Sequence, residues 1–365
     1  MMYLSLLAII GTIMLYSASW YESFLSTNGN SEMLFLKNHL KRLLIGMAFL
    51  VGFLLFDYRA LKHVAPYLII FSIFLLVLTK AVYLINGYSW YKPARWLSIG
   101  SLGFQTSDIA RFSILIFMAY YVDKQRDIIA NFQNGLLPAL VILLLIMSLI
   151  IIQPDYSTAI MIGFLGMLIL FIGGAKISQI LLTCSTALLI GIPVLLSREY
   201  RRERVLSFFG IGDNPDVGYQ AHQSLISLGN GGLFGTGLGN SIEKNHFLPT
   251  PHTDFIFAII GEELGFLIGT VPVLTLFLLI FFQGIKIAKN CNDPFGIFLS
   301  VGIVSNLILY AFVNAAVVTG LLPVTGLPMP MVSYGGSGMI INMSLIGILL
   351  NISQAKRSFG DNVWT

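Results

Sequence analysis

The chain contains ten apolar runs that are long enough to cross a lipid bilayer, and these runs constrain its fold more than any other feature. A helix satisfies its own backbone hydrogen bonds in hydrocarbon, and about 20 residues span it. The sequence therefore predicts an all-α polytopic membrane protein of about ten transmembrane helices, forming one membrane domain over residues 1–365. The predicted spans are residues 2–20, 40–56, 66–84, 105–122, 136–152, 157–173, 178–196, 255–284, 296–322 and 338–354.

The composition agrees with a membrane protein and excludes several other classes. Apolar residues make up 56% of the chain and charged residues only 10%, whereas soluble domains carry about 25% charged residues. The net charge of +4 is small, and no run of like charge is present, so no nucleic-acid partner is expected. The spans at 40–56 and 105–122 are the weakest, because Lys41, Arg42 and Arg111 lie within them and would have to snorkel to the interface.

A junction between a polar loop and an apolar helix carries the strongest candidate for chemistry. Asp254 lies just before the helix, and Glu262 and Glu263 lie inside it. A charge at bilayer depth costs roughly 2.5–3.5 kcal/mol on insertion scales, so acids retained there are usually functional or paired. The two glutamates lie about 12–14 Å beyond Asp254 at 1.5 Å per residue. We therefore expect them to be structural acids that pair with basic or polar groups of a neighbouring helix.

Residues 197–253 form the long polar segment of the chain, and loops above about 15 residues are usually functional or disordered. The segment begins with a charged amphipathic turn suited to a lipid headgroup surface. Its glycine-rich stretch, residues 229–241, could present backbone N–H groups to an anion or form a flexible lid. The stretch lacks the Lys-Ser/Thr ending of a nucleotide-binding P-loop.

Three further polar segments, residues 94–108, 153–158 and 325–337, fall on the same membrane face if the ten helices alternate in direction. Proline and glycine in two of them free backbone groups that hydrocarbon cannot satisfy, so these segments are expected to line a cavity. Asp155 follows Pro154 and suits either a helix start or a wall of this cavity.

Several motifs in these segments resemble the SEDS family (shape, elongation, division, sporulation), to which RodA and FtsW belong. The Arg95-Trp96 segment, the Tyr219 to Ser224 stretch and the glycine run fall in family order, so the resemblance runs nearly end to end. It is closest to a RodA-type protein, and the short polar ends favour elongation over division or sporulation. The motifs are Gln153-Pro154-Asp155, His252-Thr253-Asp254-Phe255-Ile256-Phe257-Ala258, and Gly326-Leu327-Pro328-Met329-Pro330 with Ser333-Tyr334-Gly335-Gly336.

The resemblance implies a glycosyltransferase that polymerises lipid II into glycan strands at the outer face of the bacterial cytoplasmic membrane. It also implies a class B penicillin-binding protein as the crosslinking partner, cytoplasmic termini and an extracytoplasmic 197–253 loop. Asp254 falls at the family's catalytic carboxylate. A general base there would deprotonate a sugar hydroxyl as it attacks the anomeric carbon, and lipid diphosphate would leave with inversion.

The resemblance and the residue chemistry together give the expected substrate contacts. Two departures from the family pattern, Thr106 and Asp108, weaken any role there, and Thr250 removes a candidate second acid near Asp254. The departing diphosphate needs a cation, either a divalent ion such as Mg²⁺ or Mn²⁺ or one of Arg95, Arg111, Arg198, Arg201, Arg202, Lys244 and His252. Further substrate contacts are expected from Trp96, Gln105, Asp155, Gln223, Ser224, Thr253, Pro328, Ser333, Tyr334 and Gly335.

Two other functions are compatible with the same residues. Buried acids, broken helices and a polar cavity also describe a lipid flippase or transporter, although no inverted repeat is visible and the polar segments gather on one face. A third possibility is a non-catalytic scaffold that positions the crosslinking enzyme.

Overall fold

A computed structural model describes residues 1–85, 95–99, 102–197, 199–211, 215–245 and 247–361. Its secondary structure is almost entirely helical, in agreement with the predicted class. The helices are α1 (Met2–Ser26), α2 (Leu34–Leu55), α3 (Leu61–Ile85), α4 (Thr106–Lys124), α5 (Leu137–Ile152), α6 (Tyr156–Ile172), α7 (Ile177–Leu196), α8 (Glu199–Phe208), α9 (Pro215–Gly231), α10 (Ile256–Gly265), α11 (Val271–Asn290), α12 (Pro294–Val318) and α13 (Ser337–Asp361).

Every predicted span coincides with a helix of the structure, so the polytopic helical fold is confirmed. Among the described residues, seven helical segments are long and apolar enough to cross a membrane, and α6 and most of α7 are shorter apolar helices. The helix at the predicted span 105–122, α4, is in neither group. The predicted span 255–284 consists of α10 and α11 joined by a π-helical turn at Phe266–Thr270. It continues to Asn290, beyond the predicted end.

The long polar loop is more ordered than the sequence suggested, because it contains α8 and α9. A second difference is a small antiparallel strand pair, β1 (Trp96–Ile99) with β2 (Leu102–Gln105), in which Trp96 pairs with Gln105. Trp96, Ile99 and Phe104 are aromatic or β-branched residues, which strands favour.

The chain forms two compact units. The first comprises Met1–Leu44, Leu188–Phe281 and Leu307–Gly335. Within it, α10 packs against both α9 and α1. The side chains from Phe255 to Ile260 are fully or almost fully buried at the start of α10, so the polar turn before this helix is fixed to the core of the unit.

The second unit comprises Ile45–Ala187, Phe282–Asn306 and Gly336–Thr365. Its central helix is α4, which packs against α3, α5, α6 and α13. Almost every side chain of α4 from Ala110 to Ala119 is buried, including those of Arg111 and Ser113. The burial of α4 explains why its span was hard to recognise: a helix surrounded by protein can carry polar groups that a lipid-facing helix cannot.

Candidate active site

Asp254 lies in a turn immediately before α10, whose N-cap residue is Phe255. The Asn314 side chain of α12 fixes this turn, because its Nδ2 donates hydrogen bonds to the carbonyls of Asp254 at 2.7 Å and Leu327 at 2.8 Å. One amide thus joins the Asp254 turn to the Pro/Gly-rich segment 325–337. The polar segments at Asp254 and Leu327 therefore meet, as the sequence predicted for a shared cavity wall.

The Asp254 carboxylate is half-buried, and one of its two oxygens accepts a hydrogen bond. Thr253 Oγ1 donates a hydrogen bond to Oδ1 at 2.7 Å. Gly326 faces Oδ2, and a Cβ on that glycine would lie 3.7 Å from this oxygen. Within the described part of the chain, Oδ2 accepts no hydrogen bond, and no Lys, Arg or His nitrogen lies within 4.0 Å of the carboxylate. A carboxylate with a free oxygen can accept a proton from an incoming hydroxyl.

His252 is buried in an aromatic cluster two residues before Asp254. Its ring centroid lies 4.4 Å from that of Phe35 and 5.4 Å from that of Tyr334. Its carbonyl accepts a hydrogen bond from the Tyr334 N–H at 2.9 Å. Its Nδ1 lies 3.0 Å from Oε2 of Glu22, in the last turns of α1. The Asp254 turn is thus held through His252 by α1, α2 and segment 325–337.

Arg42 of α2 is a site residue that the sequence did not indicate. Its guanidinium carbon lies 4.7 Å from the centroid of the Tyr334 ring, and Nη1 donates to the carbonyl of Gly335 at 3.4 Å. The sequence placed Arg42 only as a snorkelling residue, because nothing local links it to a tyrosine near the other end of the chain. A cation over an aromatic face is a stabilising pair.

Glu262 and Glu263 are fully buried and fully partnered. Glu262 accepts hydrogen bonds from Ser227 Oγ at 2.8 Å, Ser241 Oγ at 2.6 Å and the Ile242 N–H at 2.9 Å. These donors belong to α9 and to the loop that follows it. Buried carboxylates require such partners, and the polar neighbours expected from the sequence are present.

Lys244 is the counter-ion of Glu263. Its Nζ lies 2.7 Å from Glu263 Oε1, 2.7 Å from the carbonyl of Gly239 and 3.1 Å from Ser17 Oγ. Its side chain is 1% exposed. The ammonium is therefore committed to internal contacts, and this corrects the expectation that Lys244 binds the substrate diphosphate.

The glycine-rich stretch also packs internally. The N–H groups of Thr236 and Gly237 donate to the carbonyls of Glu262 and Glu263 at 2.9 and 3.0 Å. Gly235 has a φ of +83°, and a Cβ there would lie 2.3 Å from the Glu263 carbonyl oxygen. Only glycine fits this approach. These N–H groups satisfy the open end of α10 and are not offered to an anion, so neither a flexible lid nor an anion nest describes this part of the stretch.

A second polar cluster lies in the other unit and surrounds Asp155. Its carboxylate is 4% exposed and accepts hydrogen bonds from Gln105 Nε2 at 2.6 Å and Ser107 Oγ at 2.9 Å. Arg95 Nη1 lies 3.6 Å away, and the Arg95 side chain remains 39% exposed. The structure therefore brings together Arg95, Gln105 and Asp155, as the shared-face prediction required.

Asp108 and Arg111 form an ion pair within the same unit. Arg111 Nη2 lies 3.1 Å from Asp108 Oδ1, and Ser337 Oγ donates to Asp108 Oδ2 at 2.6 Å. Arg111 Nη1 also donates to Asn306 Oδ1 at 3.4 Å. With an exposure of 2%, the Arg111 guanidinium is a buried partner of Asp108. This corrects the expectation that Arg111 contacts the substrate diphosphate.

The remaining expected contacts fall into two groups. Ser224 and Ser333 are buried, and their hydroxyls bond to backbone groups, Ser224 to the Val318 carbonyl and Ser333 to the Met329 N–H. The second group is at least partly exposed and comprises Trp96, Arg202, Gln223, Thr253, Pro328, Tyr334 and Gly335. The side chain of Arg201 is not described, and Arg198 lies outside the described residues.

The residues around Asp254 do not form a metal site of protein ligands alone. Among the described residues, no group of three or more His, Cys, Asp or Glu side chains is arranged to hold a metal ion. Thr250 also occupies the position at which the family pattern has a second acid, so the described residues beside Asp254 supply no second carboxylate there.

Comparison with known proteins identifies the family. The family model for FtsW, RodA and SpoVE, described as cell cycle protein, matches residues 1–358. A probable peptidoglycan glycosyltransferase FtsW of Geobacter sulfurreducens is 36% identical over 95% of this chain and 92% of its own length. Stage V sporulation protein E of Bacillus subtilis is 35% identical over 96% of this chain and 95% of its own length.

Solved structures share the fold. A chain of a peptidoglycan synthase complex that coordinates polymerization and crosslinking is 25% identical, with a TM-score of 0.77 over 97% of this chain and 96% of that one. The rod shape determining protein RodA of Thermus thermophilus is 23% identical, with a TM-score of 0.69 over 97% and 95% of the two chains. The match over residues 1–358 and the relatives at 35–36% identity show that this chain belongs to the SEDS family of FtsW, RodA and SpoVE.

Proposed function

We propose that this chain, a peptidoglycan glycosyltransferase of the SEDS family, polymerises lipid II into glycan strands with Asp254 as its general base. The observation that carries the proposal is the state of the Asp254 carboxylate. It is half-buried, bonded only through Oδ1 among the described residues, and not paired with a cation. The surrounding turn is fixed by Asn314, so the free oxygen is held in place.

The chemistry follows from this carboxylate. A sugar hydroxyl of one lipid-linked substrate attacks the anomeric carbon of another, and Asp254 takes the hydroxyl proton as the new C–O bond forms. The bond between the anomeric carbon and the diphosphate oxygen breaks, and the diphosphate leaves with the electron pair. Attack opposite the leaving group inverts the anomeric centre, so one carboxylate is sufficient and no covalent glycosyl-enzyme is required.

Burial reduces the number of basic residues that could contact the departing diphosphate. Lys244 and Arg111 are excluded as direct contacts because both are buried in ion pairs. Arg95 and Arg202 keep exposed guanidinium groups, with side chains 39% and 56% exposed. We assign this role to exposed arginines, since guanidinium groups bind phosphate oxygens in pairs. Arg42 is a further candidate for this diphosphate contact, because its guanidinium lies beside the Gly335 carbonyl.

The proposed setting is the bacterial cytoplasmic membrane, with both termini in the cytoplasm and Asp254 at the outer face. The even number of predicted spans supports one side for both ends. A class B penicillin-binding protein is the proposed partner, and the likeness to a chain of a synthase complex that couples polymerization to crosslinking supports it.

The proposed cellular role is division or sporulation. The sequence alone favoured elongation, whereas relatives named FtsW and stage V sporulation protein E are 35–36% identical to this chain. Complementation of depletion strains for each role checks this assignment, and rescue of only the elongation strain would contradict it.

One assay separates the proposed enzyme from the two other functions. Purified protein in detergent is incubated with labelled lipid II, and the products are sized on a gel. A ladder of glycan strands is expected. Headgroup translocation in liposomes without a ladder would instead make the chain a carrier. Neither activity, with retained binding to the transpeptidase, would make it a scaffold.

A further inference from the structure

Glu22, near the end of α1, contacts the residue that anchors the catalytic turn. Its Oε2 lies 3.0 Å from Nδ1 of His252, and Asp254 follows two residues later. The two side chains differ in exposure, since that of Glu22 is 39% exposed and that of His252 is 4% exposed. An accessible acid therefore reaches a buried imidazole from a helix remote in sequence.

His252 transmits position to Asp254 through a short and constrained path. Its ring is confined by Phe35 and Tyr334, and its carbonyl accepts the Tyr334 N–H. A histidine ring confined in this way can still adopt two orientations related by a flip, which place either Nδ1 or a ring carbon next to a given neighbour. The pair is a close contact and not an aligned hydrogen bond, since Nδ1 has no hydrogen-bond partner among the described residues. A carboxylate 3.0 Å away still favours the orientation that presents the nitrogen, and not a ring carbon, to Glu22.

From these contacts we infer that Glu22 is a positioning residue for the reaction: it fixes the His252 ring and so holds the turn from His252 to Asp254 in its working geometry. The inference rests on the proposed role of Asp254 as the base. Stability alone does not explain the contact, because a pair in which one side chain is 39% exposed contributes little to stability. Placement of a reacting group is sensitive to shifts of about 1 Å.

Two readouts on Glu22→Ala test the inference. The first is steady-state kinetics with lipid II: kcat is expected to fall roughly tenfold or more, because the base is misplaced, while KM changes by less than about twofold. The second is amide hydrogen exchange by mass spectrometry. Exchange at the Tyr334 N–H, bonded to the His252 carbonyl, is expected to accelerate, whereas the loop at Thr236 and Gly237 is unchanged.

Matched variants make the test specific. Glu32→Ala removes an exposed acid from the connection between α1 and α2 and is expected to change neither readout. His252→Phe keeps an aromatic ring between Phe35 and Tyr334 but removes Nδ1, so it should reproduce the exchange change of Glu22→Ala. Adding Glu22→Ala to it should then produce no further acceleration.

The possible results all decide the matter. A fall in kcat together with faster exchange at the Tyr334 N–H supports the inference. Unchanged kcat, a loss of kcat without the exchange change, or a further acceleration in the double variant would overturn it. If Asp254 is not the general base, Asp254→Asn keeps its activity whatever the exchange rate at the Tyr334 N–H. A wrong assignment of the base is therefore distinguishable from a wrong assignment of Glu22.

Discussion

Removing the Lys244 ammonium tests whether the buried acids of α10 hold the loop that precedes the Asp254 turn. Lys244→Met deletes the contacts of Nζ with Glu263 and the Gly239 carbonyl, both at 2.7 Å, and with Ser17 Oγ. The Glu263 carboxylate, which is 0% exposed, is then left with Ser17 alone. Breaking a buried pair in this way costs about 3–5 kcal/mol of unfolding free energy.

The matched double variant separates charge from packing. Lys244→Met combined with Glu263→Met replaces both charges by apolar groups, so its cost should be about 1–3 kcal/mol, from the polar groups left unpaired, and far below the sum of the singles. Unfolding is followed by circular dichroism during titration of detergent micelles with SDS. Lys289→Met, at an exposed lysine of α11, should change stability by less than about 0.5 kcal/mol. A single variant as stable as wild type, or a double variant as costly as the sum, would refute the reasoning.

Two further predictions concern the same loop. Gly235→Ala should destabilise the protein by about 2 kcal/mol more than Gly239→Ala in the same SDS titration, because both glycines have a φ near +84° but only at Gly235 does a Cβ meet the Glu263 carbonyl; equal effects would contradict this. Burial, and then the nearby Glu262 carboxylate, raise the pKa of the Glu243 carboxyl above its ordinary 4.5. The raised pKa means that the folded state favours the protonated carboxyl. Wild type therefore loses stability as the pH rises from about 4.5, the ordinary value, through the raised pKa of the folded state. Glu243→Gln should then have a higher melting temperature than wild type at neutral pH but no gain at pH 4, and a gain at both pH values would contradict this prediction.

The length of the apolar runs was sufficient to predict most of the spans, because a helix in lipid must be long and apolar whatever its neighbours are. The span at α4 was the hardest to recognise, because α4 carries Arg111 and Ser113, which are tolerated there since other helices surround them. The two helices of the 197–253 loop were not predicted. Their side chains mix polar and apolar residues, and packing against α10 stabilises α9.

Asp254 and Asp155 stood out in the sequence as acids in unusual places, and the structure gives each of them polar neighbours. Their roles in catalysis and substrate binding stay predictions. The partners Glu22 and Arg42 were not found, because each contacts a residue far away in the chain and nothing beside either one signals that contact. Lys244 was misjudged for the same reason. A lysine in a polar loop suggests a ligand for phosphate until its position against Glu263 is known.

The most direct measurement of the central claim is the rate at which purified Asp254→Asn polymerises labelled lipid II. Asp57→Asn is the matched control, since Asp57 is exposed and caps a turn through an oxygen that asparagine also carries. Loss of a general base should lower kcat by roughly 100- to 10,000-fold, whereas the control should keep its activity and both variants should remain folded. Glycan strands made by folded Asp254→Asn at more than about one-tenth of the wild-type rate would contradict the account.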